Sequence, residues 1–173
     1  MNRQIKLLVT SMLLCSAMQV HATDLAANAT RDASQLVRCM KEFDAACTTG
    51  LTYTKSLEDH GVSREQLIAG VSNLYKQLKS MHANYLRFDL GSPLPPFVAL
   101  GKTYIFIPYE MVLSAGGQDT SLKAFFIGVS VDSGSSWTFL DGEKLTEDRV
   151  NQVIPGYQGG PLPPVSMTQS ASK

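Results

Sequence analysis

The residues of this chain best suited to chemistry are carboxylates and phenols on short alternating segments. Arg87, Asp89, Tyr104, Tyr109 and Glu110 fall on stretches with strand periodicity. A carboxylate beside a phenol can move a proton: Asp89 or Glu110 would serve as base, with Tyr104 or Tyr109 stabilising an enolate oxygen. Against that stands the ordinary behaviour of charged strand residues, which face water. Beyond the leader region, histidine is confined to His60 and His82, each just past a helical stretch, and neither belongs to a motif around a candidate nucleophile. No His, Cys or carboxylate pair has metal-ligand spacing on one helix face, so neither metal nor cofactor is expected.

Cys39 and Cys47 are the cysteines of the mature chain. Eight residues along an unbroken helix would hold their Cα atoms roughly 12 Å apart, beyond disulfide reach. A bridge therefore requires a corner, which Glu42-Phe43-Asp44 offers, with Asp44 as the N-cap of a new helix. The alternative is a pair of buried small hydrophobes.

The elements that position these groups begin after a leader. Arg3 and Lys6 precede an uncharged apolar run, Leu7 to Val20, and Val20-His21-Ala22 has the small-residue form of a cleavage site. Residues 1–22 are read as a secretory signal peptide, which places the product in the periplasm or outside the cell. Cys15 lacks the preceding small residue of a lipidated cysteine. The full chain carries 15 basic and 15 acidic residues, and losing Arg3 and Lys6 leaves a slightly acidic product of about 150 residues, the size of one domain. That balance argues against a nucleic-acid partner, and no later segment is long and apolar enough for a membrane span.

The spacing of Ala29, Ala33, Leu36, Val37, Met40 and Phe43 predicts an amphipathic helix. A second, irregular helical stretch follows from Asp44 to His60, interrupted by Gly50. A third opens on the capping box Ser63–Gln66 and carries the stripe Leu67, Val71, Leu74, Leu78 and Met81, which Tyr75 and Ile68 widen. From Tyr85 the period becomes two. Leu86, Phe88 and Leu90 share one face of a strand, a Pro-rich loop follows, and Thr103 to Leu113 forms a long strand with both faces partly apolar. Each face then needs a cover: helices on one and a partner subunit on the other, or a sheet curved round a cavity. Pro108 demands a bulge or a locally unpaired position.

Leu122 to Val131 and Trp137 to Leu140 form a hairpin about Asp132-Ser133-Gly134-Ser135-Ser136. Thr146 is placed to cap a short helix, which Pro155 ends. The domain is read as 23–157. Residues 158–173, rich in Gly, Pro, Ser and Gln, are expected to be a disordered tail.

This order of elements predicts an α+β fold, with N-terminal helices packed on a curved antiparallel sheet. The corner Lys41 to Asp44, the hairpin FFIGVSVDSGSSWTFLDG and the stretch LTEDRVNQVIPGY resemble the nuclear transport factor two-like superfamily, the cone related to cystatin-like folds, over Ala33 to Tyr157. They are similar to an exported bacterial group of undefined activity within it. The fold this implies hosts isomerases, dehydratases, binding proteins and inert adaptors, so it implies no one activity. Ser130, Asp132, Gly134, Ser136 and Trp137 also resemble the Asp-box hairpin of sialidase-type propellers, although one copy cannot build a propeller.

In a cone, strand residues pointing into the concavity make the pocket. The expected site is therefore a hollow between the Leu67–Met81 helix and the Thr103–Leu113 strand, walled by Tyr75, Tyr104, Phe106 and Tyr109, with Tyr109 rather than Glu110 pointing inward. The function this favours is non-catalytic binding of a small apolar or amphipathic ligand or an envelope protein. The alternatives are a cofactor-free isomerase or lyase using a strand carboxylate, and a structural homodimer joined through the outer sheet face.

Overall fold

The computed structural model describes residues 24–55, 61–157 and 162–171, except for the side chains of residues 147, 148 and 152. Residues 1–22, read from the sequence as a signal peptide, with Cys15, and also His60, lie outside the described residues.

The fold is α+β, with helices on the N-terminal side followed by an open six-stranded antiparallel sheet. Helix α1 covers residues 24–41, α2 Ala45–Gly50 and α3 Arg64–Ser80. The strands are β1 (Asn84–Leu90), β2 (Phe97–Ala99), β3 (Lys102–Ala115), β4 (Gln118–Ser130) and β5 (Thr138–Asp141); α4 (Glu147–Val153) and β6 (Ser166–Ala171) follow.

The sheet is built on β3 and β4, which pair from Thr103↔Ser130 to Ala115↔Gln118. Their turn, Gly116-Gly117, has positive φ at both positions, as a two-residue hairpin loop requires. Each outer edge of this ribbon carries two short strands. β1 and β2 share the edge of β3, while β5 and β6 share the edge of β4. Pro108 falls where β1 has ended and β2 has not begun, and its carbonyl accepts from Gly91 N at 2.7 Å. Its missing N–H therefore costs no ladder bond.

Both sheet faces are covered by the same chain. On the inner face Ile105, Ile107, Tyr109, Leu122 and Phe126 meet Ala29, Ala33, Leu36 and Val37 of α1. Ala29 and Ala33, both fully buried, let the helix backbone approach the strands closely. On the outer face Tyr104, Phe106, Phe125, Ile127 and Val129 meet Val150 and Ile154, with Tyr53, Phe97 and Tyr157 at the margins. Each fully buried aliphatic or aromatic chain contributes about 1.5–3 kcal/mol. The outer cover thus comes from α4 and the loops around it, where a partner subunit was one expectation.

Three local expectations change. β1 does not alternate strictly, because its register to β3 slips between Tyr85 and Arg87. Leu86 is thrown outward and is 57 % exposed, while Tyr85 turns inward with Phe88. The tail is not structureless: Ser166–Ala171 pairs with Gln118–Lys123, although all its side chains are exposed. Thr146 occupies the N-cap of α4 but makes no side-chain capping bond.

Candidate functional site

The site begins at the corner between α1 and α2. Phe43 turns the chain at φ +53°, and Asp44 caps α2 by accepting from Cys47 N at 2.9 Å. This brings the Cα atoms of Cys39 and Cys47 to 5.6 Å, and a disulfide joins them. Beyond α2 the chain runs along the edge of β5, with Phe139 N donating to Leu51 O at 2.8 Å and Tyr53 N to Phe139 O at 2.9 Å. Thr48 and Thr52 are thereby placed against the sheet.

Helix α3 is correctly capped: Ser63 Oγ accepts from Gln66 N, and Gln66 Oε1 accepts from Ser63 N at 2.8 Å. Its apolar stripe, expected to be packed, is only partly covered. Tyr75 is buried, but Leu74 is 50 % exposed and Met81 is 45 % exposed. The helix is pinned at Tyr75, whose ring meets Phe43 edge-on at 5.4 Å and whose hydroxyl lies 3.0 Å from Thr48 Oγ1.

Between this loosely seated helix and the sheet lies a hollow of about 240 Å³. Leu36 and Met40 of α1 and Val71, Leu74 and Leu78 of α3 make its apolar walls. The sheet side is made of Tyr85, Phe126, Phe139, Leu140 and Asp141. The hollow is beneath the expected helix, but β1, β4 and β5 wall it, and β3 reaches it only through the Tyr109 hydroxyl on Asp141.

Asp141 is the charged group of this surface. Its Oδ1 accepts from Glu143 N at 2.9 Å, and the Tyr109 hydroxyl donates across both carboxylate oxygens at 3.2 Å. Asp141 is exposed and lines the hollow, with protein packed around its carboxylate. Desolvation there pushes its carboxyl pKa up, offset in part by the bonds from Glu143 N and Tyr109. Among the described residues it makes no ion pair. Burial likewise raises the phenol pKa of Tyr85 to about 12, with Tyr75 and Asp141 adding to the effect. Tyr109 is shifted in the same direction, by burial first and Asp141 second, and Tyr75 by burial. At neutral pH all three phenols keep their protons.

The structure divides the expected site residues. Tyr75 lines the hollow, and Tyr109 points inward as expected, 3 % exposed and 4.5 Å ring to ring from Phe126. Tyr104 and Phe106 do not belong there. Even-numbered β3 residues face the other side of the sheet, so Tyr104 stacks on Phe97 and Phe106 meets Phe125 edge-on, each at 5.6 Å. Glu110 faces outward between Arg87 at 2.8 Å and Lys123 at 2.6 Å. Its pKa is lowered, chiefly by the Lys123 hydrogen bond, which is opposite to what a base needs. Asp89 is exposed beside Arg87, and His82 is exposed at the end of α3.

Asp141 and Tyr85 are the residues that sequence reasoning missed. Trp137, Phe139 and Asp141 alternate onto one face of β5. Extending that strand by one residue would have aimed the carboxylate inward.

At the other end of the hairpin, Asp132 Oδ1 accepts from Ser130 Oγ at 2.7 Å and Ser136 N at 3.0 Å, while Oδ2 accepts from Ser136 Oγ at 2.6 Å. Gly134 is at φ +89° beneath the Trp137 ring. α1 grips this turn: Asp32 Oδ2 accepts from Trp137 N at 3.0 Å, and Asn28 Nδ2 donates to Gly134 O at 3.1 Å. These bonds make the turn a folding device.

Comparison of the chain with protein-family models, with curated proteins and with solved structures finds no match. Among the described residues no helix is long and apolar enough to cross a membrane.

Proposed function

We propose that this chain is an exported protein that binds a small, largely apolar molecule with one polar end in the hollow between α3 and the sheet. The observation that carries the reading is the hollow itself: apolar walls converging on a small polar group, Asp141 with Tyr85, as ligand pockets do. The disulfide joining α1 to α2 supports an oxidising compartment, the periplasm or outside the cell. The relationship to the nuclear transport factor two-like superfamily remains part of this proposal and rests on the order of the elements, helices followed by an antiparallel sheet. The test is a neutral solvatochromic dye, N-phenyl-1-naphthylamine. Its emission should rise on saturable 1:1 binding, and Val71→Trp, which fills the hollow, should abolish the rise. A dye that does not bind, or binds the filled variant equally, overturns the reading.

One observation favours a second reading, a cofactor-free isomerase or lyase. Asp141 is a strand carboxylate of raised pKa beside neutral phenols, the pairing a proton abstraction needs. Asp141 would take a proton next to a carbonyl, and the Tyr85 hydroxyl would donate to the developing oxyanion. Deuterium entering a bound ketone from D2O, lost in Asp141→Asn, would support it; no exchange at saturation would remove it.

A further inference from the structure

The charge of the ligand is written in the walls of the hollow. Among the described residues that line it, Asp141 alone carries a charge, and no lysine, arginine or histidine reaches the cavity. Asp141 Oδ2 has the single 3.2 Å bond from Tyr109. Aromatic side chains line the same hollow: Phe126, its register partner across the β4–β5 ladder, with Tyr85 and Phe139. An anionic head group entering here would meet a carboxylate whose attracting cation, Lys144, lies outside the residues that line the hollow. An ammonium would meet the carboxylate it lacks as a partner and the electron-rich ring faces that attract cations.

Resting on the binding reading above, we propose that the polar end of the ligand is a cation, and that the hollow takes small apolar amines, with the ammonium on Asp141 and the hydrocarbon between α1 and α3. At about 240 Å³ the hollow lies just below the usual range of ligand-pocket sizes, which limits the hydrocarbon to about two or three rings at most. The half-exposed Leu74 leaves the α3 wall unsealed, so a ligand of this size can enter without the sheet opening. The raised carboxyl pKa fits a charge that awaits its counter-ion. Tyr85, a neutral donor beside that carboxylate, offers no charge that would reverse the preference.

Three compounds on one carbon frame test this on the full folded chain: phenethylamine, 2-phenylethanol and phenylacetate, each titrated as a competitor of N-phenyl-1-naphthylamine at pH 7.5. The amine should bind at least tenfold more tightly than the alcohol, and phenylacetate should not compete. Asp141→Asn should bring the affinity for the amine down to that for the alcohol, and its melting temperature checks that it folds. An alcohol or carboxylate that matches the amine in the wild-type chain, or an unchanged amine preference in Asp141→Asn, overturns the cation assignment while the binding reading stands. Dye binding with no competition by the amine has the same meaning. Failure of the dye itself overturns the binding reading and the amine assignment together.

Discussion

The two ends of the β4–β5 hairpin each carry an aspartate, and the protein treats them in opposite ways. Asp132, at the turn, collects donors from its immediate neighbours Ser130 and Ser136, and its carboxyl pKa falls to about 2, first through the Ser136 hydroxyl. Asp141, at the far end, has one backbone donor and one phenol spread over two oxygens, and its pKa rises. Both reach solvent, but Asp141 has more protein packed around it: desolvation comes first in raising its carboxyl pKa, whereas hydrogen bonds come first in lowering that of Asp132. A carboxylate satisfied from within its own turn is there to hold the backbone. A carboxylate left short of donors at the edge of an apolar hollow adds nothing to stability that a neutral residue would not, which is the reason to look for its partner outside the chain.

The largest expected effect falls at the turn. Trp137 is 2 % exposed, sits over Gly134 and donates Nε1 to Gly134 O at 3.2 Å. Trp137→Ala should cost about 3–5 kcal/mol, read from urea denaturation. Gly134→Val should also destabilise, since φ +89° is closed to β-branched residues and its Cβ would strike Leu25. Unchanged stability in both would remove the turn's structural role and with it this half of the contrast. Next comes the disulfide, which holds α2 and hence Thr48 at the hollow. Replacing both Cys39 and Cys47 by alanine should cost about 2–3 kcal/mol for so short a loop. It should weaken dye binding while leaving the folded-state emission of Trp137, the single tryptophan, unchanged. Alkylation of unreduced protein should modify neither cysteine. Free labelling of both in the folded chain would show the corner held by packing alone.

What was legible in the sequence follows the same line. Local signals were readable because their causes are local: the Ser63–Gln66 box, the corner at Phe43-Asp44, the Asp132 turn, and the alternation that sends Tyr109 in and Glu110 out. Features set by pairing between distant segments were not. Leu86 reads as inward, but the register slip against β3 expels it. Ser166–Ala171 buries nothing and has no apolar pattern, so only the open edge of β4 makes it a strand. Tyr104 and Phe106 share the aromatic character of Tyr109, but their even spacing places them on the other face. The apolar stripe places the hollow under the right helix, yet its carboxylate escapes notice because the apolar run of β5 stops at Leu140, one residue before Asp141.

A smaller effect is expected at Asp132. Its folded pKa, about 2, lies below the ordinary 3.8. The stabilisation is therefore present above the ordinary value and is lost as pH falls through the folded one. Asp132→Ala should lower Tm by a few degrees at pH 7, by less at pH 2, and leave ligand binding alone. A fall in dye affinity without a fall in Tm would tie this turn to the site and blur the distinction.

The smallest effect on stability, and the sharpest for the comparison, is at Asp141. Its folded pKa is raised above 3.8, so the sign reverses: ionisation penalises the folded state, and the penalty builds as pH rises from the ordinary carboxyl value through the folded one. The groups that act with it are the neutral phenols of Tyr109 and Tyr85 and the ammonium of Lys144, whose attraction is the weakest contribution to its pKa; the Glu143 carboxylate acts on Tyr109. Asp141→Asn keeps an oxygen to accept from Tyr109 or Glu143 N and loses the charge. The variant should therefore melt at the same temperature as the wild type or slightly above it at pH 7, with the gain shrinking as pH is lowered toward 4. A phenethylamine-loaded wild type should recover the difference, since the bound cation offsets the charge only when Asp141 is ionised. If Asp141→Asn instead melts several degrees lower at pH 7, the carboxylate is a brace like Asp132, its charge is already satisfied within the fold, and the case for a cationic ligand in the hollow is lost.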